Sequence, residues 1–265
     1  MPTADKNKKQ SEAESVPESV PVRHAVHSAQ QGKGGCGKSV STALVAMYKI
    51  SKGELPLCID TDPLNPTFSN YEKLNVRQLN IMEGDEINQR KLDTLIQWID
   101  EAGDRDVIID NGAPSFIPLS SYMISQQIPA LLYEMGKQLV IHISIVGGQA
   151  HDYTVEGFKA MVEQYPSETR FVVWLNPYWG AVESDQGVPF EESEAYLMNK
   201  DKVDALIRLP TLKKELHGQD FADMLENYKT FDEAIEDKSL SIMVRQRLKQ
   251  VRALIFEQLD LATVI

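Results

Sequence analysis

Short runs of consecutive apolar residues alternate along this chain with stretches in which apolar positions recur every three or four residues. The runs occupy residues 55–60, 106–110, 139–146, 170–176 and 203–209. Each is too short for a buried helix and apolar on consecutive positions, so it predicts a strand covered on both faces, as in a parallel sheet. Between them, Val40, Ala43, Leu44, Met47 and Tyr48 lie on one helical stripe that Gly53 ends, and Leu92, Leu95, Ile96 and Ile99 lie on another. Residues 119–135 and 153–165 suggest two further helices. Residues 22–29, with Val22, Val26 and Ala29 apolar and His24 and His27 interleaved, form a modest first strand. This alternation predicts an α/β fold: a mostly parallel, doubly wound sheet with helices on both faces. Right-handed crossovers would bring the carboxyl ends of the strands to one edge, where ligands of open sheets collect.

Residues 1–21 stand apart from this pattern. They mix Lys6, Lys8 and Lys9 with Glu12, Glu14 and Glu18 and hold almost nothing apolar. Such a segment cannot bury enough surface to offset its ordering entropy, so a disordered tail is expected. Residues 22–265 are expected to form a single domain, because a chain of 265 residues with 42% hydrophobic content can bury one substantial core. No apolar run approaches the length of a membrane span and no hydrophobic signal segment opens the sequence, so a soluble, cytoplasmic protein is expected. Cys36 and Cys58 have no metal-ligand spacing, the histidines are scattered, and no structural metal is expected. A formal net charge of −12 argues against strong nonspecific nucleic-acid binding, leaving only a local basic face for such contact.

One octapeptide carries the chemistry. Gly32, Lys33, Gly34, Gly35, Cys36, Gly37, Lys38 and Ser39 fit the spacing G-x-x-x-x-G-K-[ST]. In that motif glycines let backbone N–H groups curl around a phosphate chain, the lysine touches the outer phosphates, and the hydroxyl meets Mg²⁺. The loop works only between a strand and a helix whose N-terminus faces the phosphates, and the strand at residues 22–29 and the helix opening at Val40 supply that order. Three strand ends add candidates. Asp60 and Asp62, two residues apart before Pro63, predict one carboxylate in the nucleotide site near Mg²⁺ and one that orients the attacking water. Asp110 closes an apolar strand and predicts a magnesium ligand, and residues 111–115 predict a loop able to sense the terminal phosphate. Asn176, followed by Pro177, suits adenine because a carboxamide can pair with both N6 and N7, so ATP is favoured over GTP. Pro210 follows the last strand and would close over the base. Turn formation explains the Asp62-Pro63, Asn176-Pro177 and Pro210 positions as well.

With these residues in place, the chain resembles the ParA and MinD group of ATPases, P-loop NTPases whose deviant phosphate loop carries an early lysine, here Lys33. Residues 31–39, 59–65, 74–87, 107–118, 172–180 and 231–259 are similar to the TraL family of plasmid conjugal-transfer proteins. The resemblance implies an ATP- and Mg²⁺-dependent homodimer that hydrolyses ATP slowly without a partner. It implies that Lys33 reaches the other subunit's phosphates, that Lys38 and Ser39 serve the β/γ-phosphates and Mg²⁺, and that Asp62 positions water. Conjugative transfer proteins, and plasmid DNA touched directly or through them, are the implied partners. Cys36 stands where valine is common in this loop, which raises the expectation of sensitivity to thiol oxidation.

Two other function classes compete with an ATPase switch: an adaptor that holds ATP with little turnover, and a metabolic amide- or urea-forming enzyme, for which no acceptor pocket is visible. Residues 241–259 predict an amphipathic helix with Val244, Leu248, Val251 and Ile255 on its stripe and Arg245, Arg247, Lys249 and Arg252 beside it. It is expected to cover one face of the sheet with its cations solvated, contact with a membrane surface or a partner being the alternative.

Overall fold

The computed structural model describes residues 24–84 and 86–265. The tail expected over residues 1–21, and Val22 of the first strand, lie outside the described residues. In chain order the strands are β1 (His24–Ala29), β2 (Leu57–Asp60), β3 (Arg77–Gln78), β4 (Met82–Glu83), β5 (Glu86–Ile87), β6 (Val107–Asp110), β7 (Lys137–Val146), β8 (Arg170–Asn176) and β9 (Val203–Arg208). The helices are α1 (Lys38–Ser51), α2 (Gln89–Glu101), α3 (Phe116–Ser125), α4 (Ile128–Glu134), α5 (His151–Gln164), α6 (Glu194–Leu197), α7 (Gln219–Glu226), α8 (Phe231–Glu236) and α9 (Ile242–Leu259). Seven strands pair in the order β3-β2-β6-β1-β7-β8-β9, every pairing parallel, while β4 and β5 form a separate hairpin.

Why the strands are apolar on consecutive positions is visible in the two cores. Leu57, Ile59, Val107, Ile109, Ile141 and Val173 point to the face covered by α2, α3, α4 and α5. The intervening Cys58, Ile108, Val140, Val172 and Trp174 point to the face covered by α1, α7, α8 and α9. Each strand side chain therefore loses water on one face or the other, worth about 1.5–3 kcal/mol for a large apolar residue. The doubly wound parallel sheet expected from the alternation is the architecture found.

Local departures have local causes. The helix expected over residues 119–135 divides into α3 and α4, because Gln127 takes a left-handed φ of 54° and Pro129 opens the second helix. The basic helix is α9, capped by the Ser241 hydroxyl accepting from Val244 N at 3.2 Å. Leu248, Val251 and Ile255 are buried as its stripe predicts. Its cations are only partly solvated, since Arg247 pairs with Asp220 and Arg252 with Asp232. Among the described residues no helix is long and apolar enough to cross a membrane.

Under α1 a polar row crosses the second core. Trp174 Nε1 donates to His142 Nδ1 at 2.9 Å, so the His142 proton sits on Nε2, 3.0 Å from His27 Nδ1. Both imidazoles are buried, and burial holds both below their usual pKa, His27 at about 3.

Candidate functional site

The phosphate loop leaves β1 and turns into α1 at the carboxyl edge of the sheet. Gly35 and Gly37 adopt φ of 73° and 92°, a region that L side chains reach only with strain. Gly37 is the N-cap of α1 and no side chain caps that helix, so its first-turn amides stay open toward the loop. Gly32 is restricted differently: an added Cβ would sit 3.2 Å from Phe116 and 3.3 Å from the Tyr153 hydroxyl. Just upstream, Gln31 accepts from Gly32 N at 3.1 Å and donates to Ser144 O at 3.2 Å, which anchors the loop's entry to β7.

Lys38 is buried, and its ammonium donates to the Lys33 carbonyl at 3.3 Å. Burial pulls its pKa down, while Asp110, Cys36 and Asp62 pull it up. A buried cation at a helix N-terminus is at the unfavourable end of the dipole. Lys33 is exposed on the outside of the loop, and Ser39 is half-buried.

The three acids take distinct places. Asp110 is buried beside the start of α1, with the Thr42 hydroxyl 3.2 Å from its Oδ1. Burial pushes its carboxyl up to about 6, with the neighbouring Asp60 adding to the rise and Ser39, Thr42 and Lys38 opposing it. Asp60 is fully buried and committed to its own loop. It accepts from Asp62 N at 2.9 Å, from Ser69 N at 2.9 Å and from Ser69 Oγ at 3.1 Å. Its carboxylate therefore braces residues 61–69 while lying close enough to Asp110 to raise that group's pKa. Asp62 Oδ1 accepts from Leu64 N at 2.9 Å and Asn65 N at 3.0 Å. Gly112 leaves room for it, because a Cβ there would lie 2.5 Å from the Asp62 Cγ.

Beside the loop lies a cleft of about 470 Å³. Gly35, Gly37, Val40, Asn176, Pro177 and Pro210 line it together with the apolar Leu212, Phe221 and Leu225. Residues 214–218, of which Lys214 and Gly218 also line the cleft, form a π-turn, with Gly218 N donating to Lys213 O at 2.9 Å. Tyr178 and Trp179 stand at the mouth, exposed and packed edge to face at 4.8 Å.

Sequence reasoning missed Thr42, although it lies four residues after Lys38 and so on the same helix face. It also missed Leu212, Phe221 and Leu225, which follow the last strand as an ordinary amphipathic stretch. Cys36 corrects an expectation: it is buried and burial raises its thiol pKa, with the Lys38 and Lys33 cations opposing, so the reactive thiolate is disfavoured. Among the described residues no three His, Cys, Asp or Glu side chains cluster to hold a metal.

Two proteins of Escherichia coli, each named Protein TraL, are 57% and 55% identical to this chain over 240 residues. Each match covers 91% of the chain and 99% of the relative. The chain belongs to the TraL family. No family model matches it. Among solved structures, the TraL family member is similar to the MinC:MinD cell division protein complex of Aquifex aeolicus, at 15% identity, with a TM-score of 0.41 over 86% of this chain and 96% of that one. It is similar also to a plasmid partition protein of Borrelia burgdorferi, at 15% identity, with a TM-score of 0.40 over 77% of this chain and 96% of that one. The architecture of this TraL relative rests on its own strand order and loop, which are those of a strand, phosphate loop and helix at the carboxyl edge of a parallel sheet.

Proposed function

We propose that the protein is an ATP-binding and ATP-hydrolysing switch that dimerises with nucleotide and serves plasmid conjugal DNA transfer. The observation that carries this reading is Lys38: a buried cation at the open N-terminus of α1, with Asp110 and Asp62 near enough to influence it and a base-sized cleft beside it. The residues present suit magnesium as well. Asp110 and Ser39, with Asp60 close by, would hold the ion, which suits a cation that takes one or two carboxylates plus phosphate oxygens, and a bound cation would offset the desolvation that raises Asp110. When bound, Mg²⁺ supplies charge neutralisation to the phosphates.

The chain's own residues would do the rest. Loop amides and Lys38 would grip the β- and γ-phosphates, and Thr42 would keep Asp110 oriented. Asp62, seated over Gly112, would orient the attacking water and accept its proton. Exposed Lys33 would reach the phosphates of a second copy, and the difference in affinity between nucleotide states would drive dimer assembly and release. Conjugative transfer proteins, and plasmid DNA directly or through them, would be the partners that trigger hydrolysis.

Light scattering of the full chain with Mg-ATP, Mg-ADP and no nucleotide tests the reading, alongside turnover with plasmid DNA. ATP alone should give the dimer, and Lys33→Ala should lose that dimer while keeping nucleotide binding. A monomer in every state would contradict the switch. Turnover unchanged in Asp62→Ala would leave a nucleotide-binding adaptor in its place.

A further inference from the structure

The turn at the mouth of the cleft is fixed in its backbone and open in its side chains. Gly147 and Gly148, between β7 and α5, form its seat. A Cβ built on Gly147 would lie 2.3 Å from the carbonyl oxygens of Gly180 and Ala181, and one built on Gly148 would lie 3.0 Å from that of Trp179. These are backbone atoms, so no side-chain rotation relieves the overlap and glycine is what lets the two segments approach. The seat is braced from α5: Val146 N donates to Thr154 Oγ1 at 3.3 Å, and the buried Thr154 hydroxyl donates to His151 O at 2.8 Å. The turn has holds of its own. Asn176 Oδ1 accepts from Tyr178 N at 3.1 Å, and Asn176 Nδ2 donates to the Cys36 carbonyl at 3.3 Å. Gly180 N donates to Pro177 O at 3.1 Å, and Gly180 takes φ of 135° and ψ of −177°, a combination that L side chains avoid. Yet Tyr178 and Trp179, packed edge to face, are 65% and 62% exposed.

We infer that the Tyr178-Trp179 pair is the aromatic face on which the base of the nucleotide stacks, and that Gly147 and Gly148 are positioning residues for it. The inference rests on the nucleotide-binding reading proposed above and adds to it the contact with the flat face of the base. Aromatic groups left in water on a fixed backbone gain contact area with a ligand at little cost in ordering. Both residues line the same cleft as Gly35, Gly37 and Val40, which lead to it from the phosphate loop, and as the apolar Phe221 and Leu225. Asn176 complements them, because after its two bonds to the protein the carboxamide keeps one N–H and one lone pair for the edge of the base. The polar edge and the flat face of a base thus meet separate groups at one strand end. Stacking does not involve the phosphates, so this contact can be separated by experiment from the grip of the loop.

Calorimetric titrations of the full chain with Mg-ATP and with the base-free probe Mg-tripolyphosphate test this. For Trp179→Ala we expect ATP affinity to fall about five- to tenfold, the low end for a base stacked on an aromatic side chain, with tripolyphosphate affinity unchanged. Gly147→Ala keeps both aromatic side chains but pushes the turn off its seat, and we expect the same selective loss. Thermal melting checks that Gly147→Ala folds; Trp179 is exposed and its removal leaves no cavity, so Trp179→Ala decides if the glycine variant does not fold. Unchanged ATP affinity in either folded variant, or a loss shared equally by tripolyphosphate, would overturn the inference. Unchanged ATP affinity in Trp179→Ala together with loss of the ATP-dependent dimer would overturn it in favour of contact with a second copy of the chain. Wild-type protein that binds neither probe would instead defeat the nucleotide-binding reading itself.

Discussion

Helix α1 carries a buried lysine at each end, and the two live in opposite circumstances. Lys49, in the last turn, sits at the favourable end of the helix dipole, in contact with Asp106 and 3.2 Å from Glu54. Lys38, in the first turn, sits at the unfavourable end, its ammonium donating to the Lys33 carbonyl at 3.3 Å. A cavity lies at each end, of about 610 Å³ beside Lys49 and about 470 Å³ at the other edge. At the amino edge the charges answer one another, whereas at the carboxyl edge a desolvated cation, open helix amides and a raised carboxyl lie together.

The sharpest way to break this comparison is to remove each lysine. Lys49→Met should destabilise the protein by about 3–5 kcal/mol, because Asp106 would stay buried without its partner. The fraction that remains folded should bind nucleotide normally. Lys38→Met should leave the urea midpoint unchanged or raised, since burial already disfavours its charge, while nucleotide affinity drops by about 2–5 kcal/mol. Urea titration and calorimetry on both variants check this. Equal stability losses would erase the distinction between the two ends.

Gly112→Ala should act next most strongly. Its Cβ would lie 2.5 Å from Asp62 Cγ, so the carboxylate must move. A shift of about 1 Å in a catalytic group can cost about a hundredfold in rate. Turnover should fall by that order with ATP affinity nearly intact, and steady-state kinetics beside calorimetry would reveal any other division.

Acid should separate the regions too. His27, lowered from 6.5 to about 3, is protonated first in the unfolded chain. Its stability contribution is therefore whole above pH 6.5 and is lost as pH falls toward the folded value. Asp110, raised from 3.8 to about 6, is protonated first in the folded chain, so in the nucleotide-free protein its ionisation weighs on stability above pH 6 and is relieved on acidification. Each group can contribute a slope of at most about 1.4 kcal/mol per pH unit. Urea midpoints between pH 7 and 4.5 should show a flatter loss in His27→Gln than in wild type and a steeper one in Asp110→Asn. Identical profiles would remove both assignments. The smallest effect is spectroscopic: Trp174 is buried while Trp179 is exposed at the cleft mouth. An emission change on adding Mg-ATP should disappear in Trp179→Phe and survive in a variant altered only at the partly buried Trp98.

How much of this was legible beforehand follows from the same contrast. Strands β2, β6, β7, β8 and β9 were readable because burial on both faces makes them apolar at consecutive positions, and α1, α2 and α9 because one buried stripe sets their period. The break between α3 and α4 was written only in the left-handed Gln127 and in Pro129, whose effect depends on packing. The loop motif announced itself by spacing. The commitment of Asp60 to Ser69 and of Asn176 to Cys36 did not, since each depends on a partner brought close by the fold. The apolar wall of the cleft was hidden for another reason: Leu212, Phe221 and Leu225 look like any amphipathic stretch until β9 carries them to the phosphate loop.

The central claim is that the carboxyl-edge cleft is completed by a magnesium nucleotide, and calorimetric titration of Mg-ATP into the full-length protein tests it most directly. The account predicts a saturable heat with one nucleotide per chain that vanishes in Lys38→Met. No heat from well-folded wild type, or an undiminished signal in Lys38→Met, would contradict it.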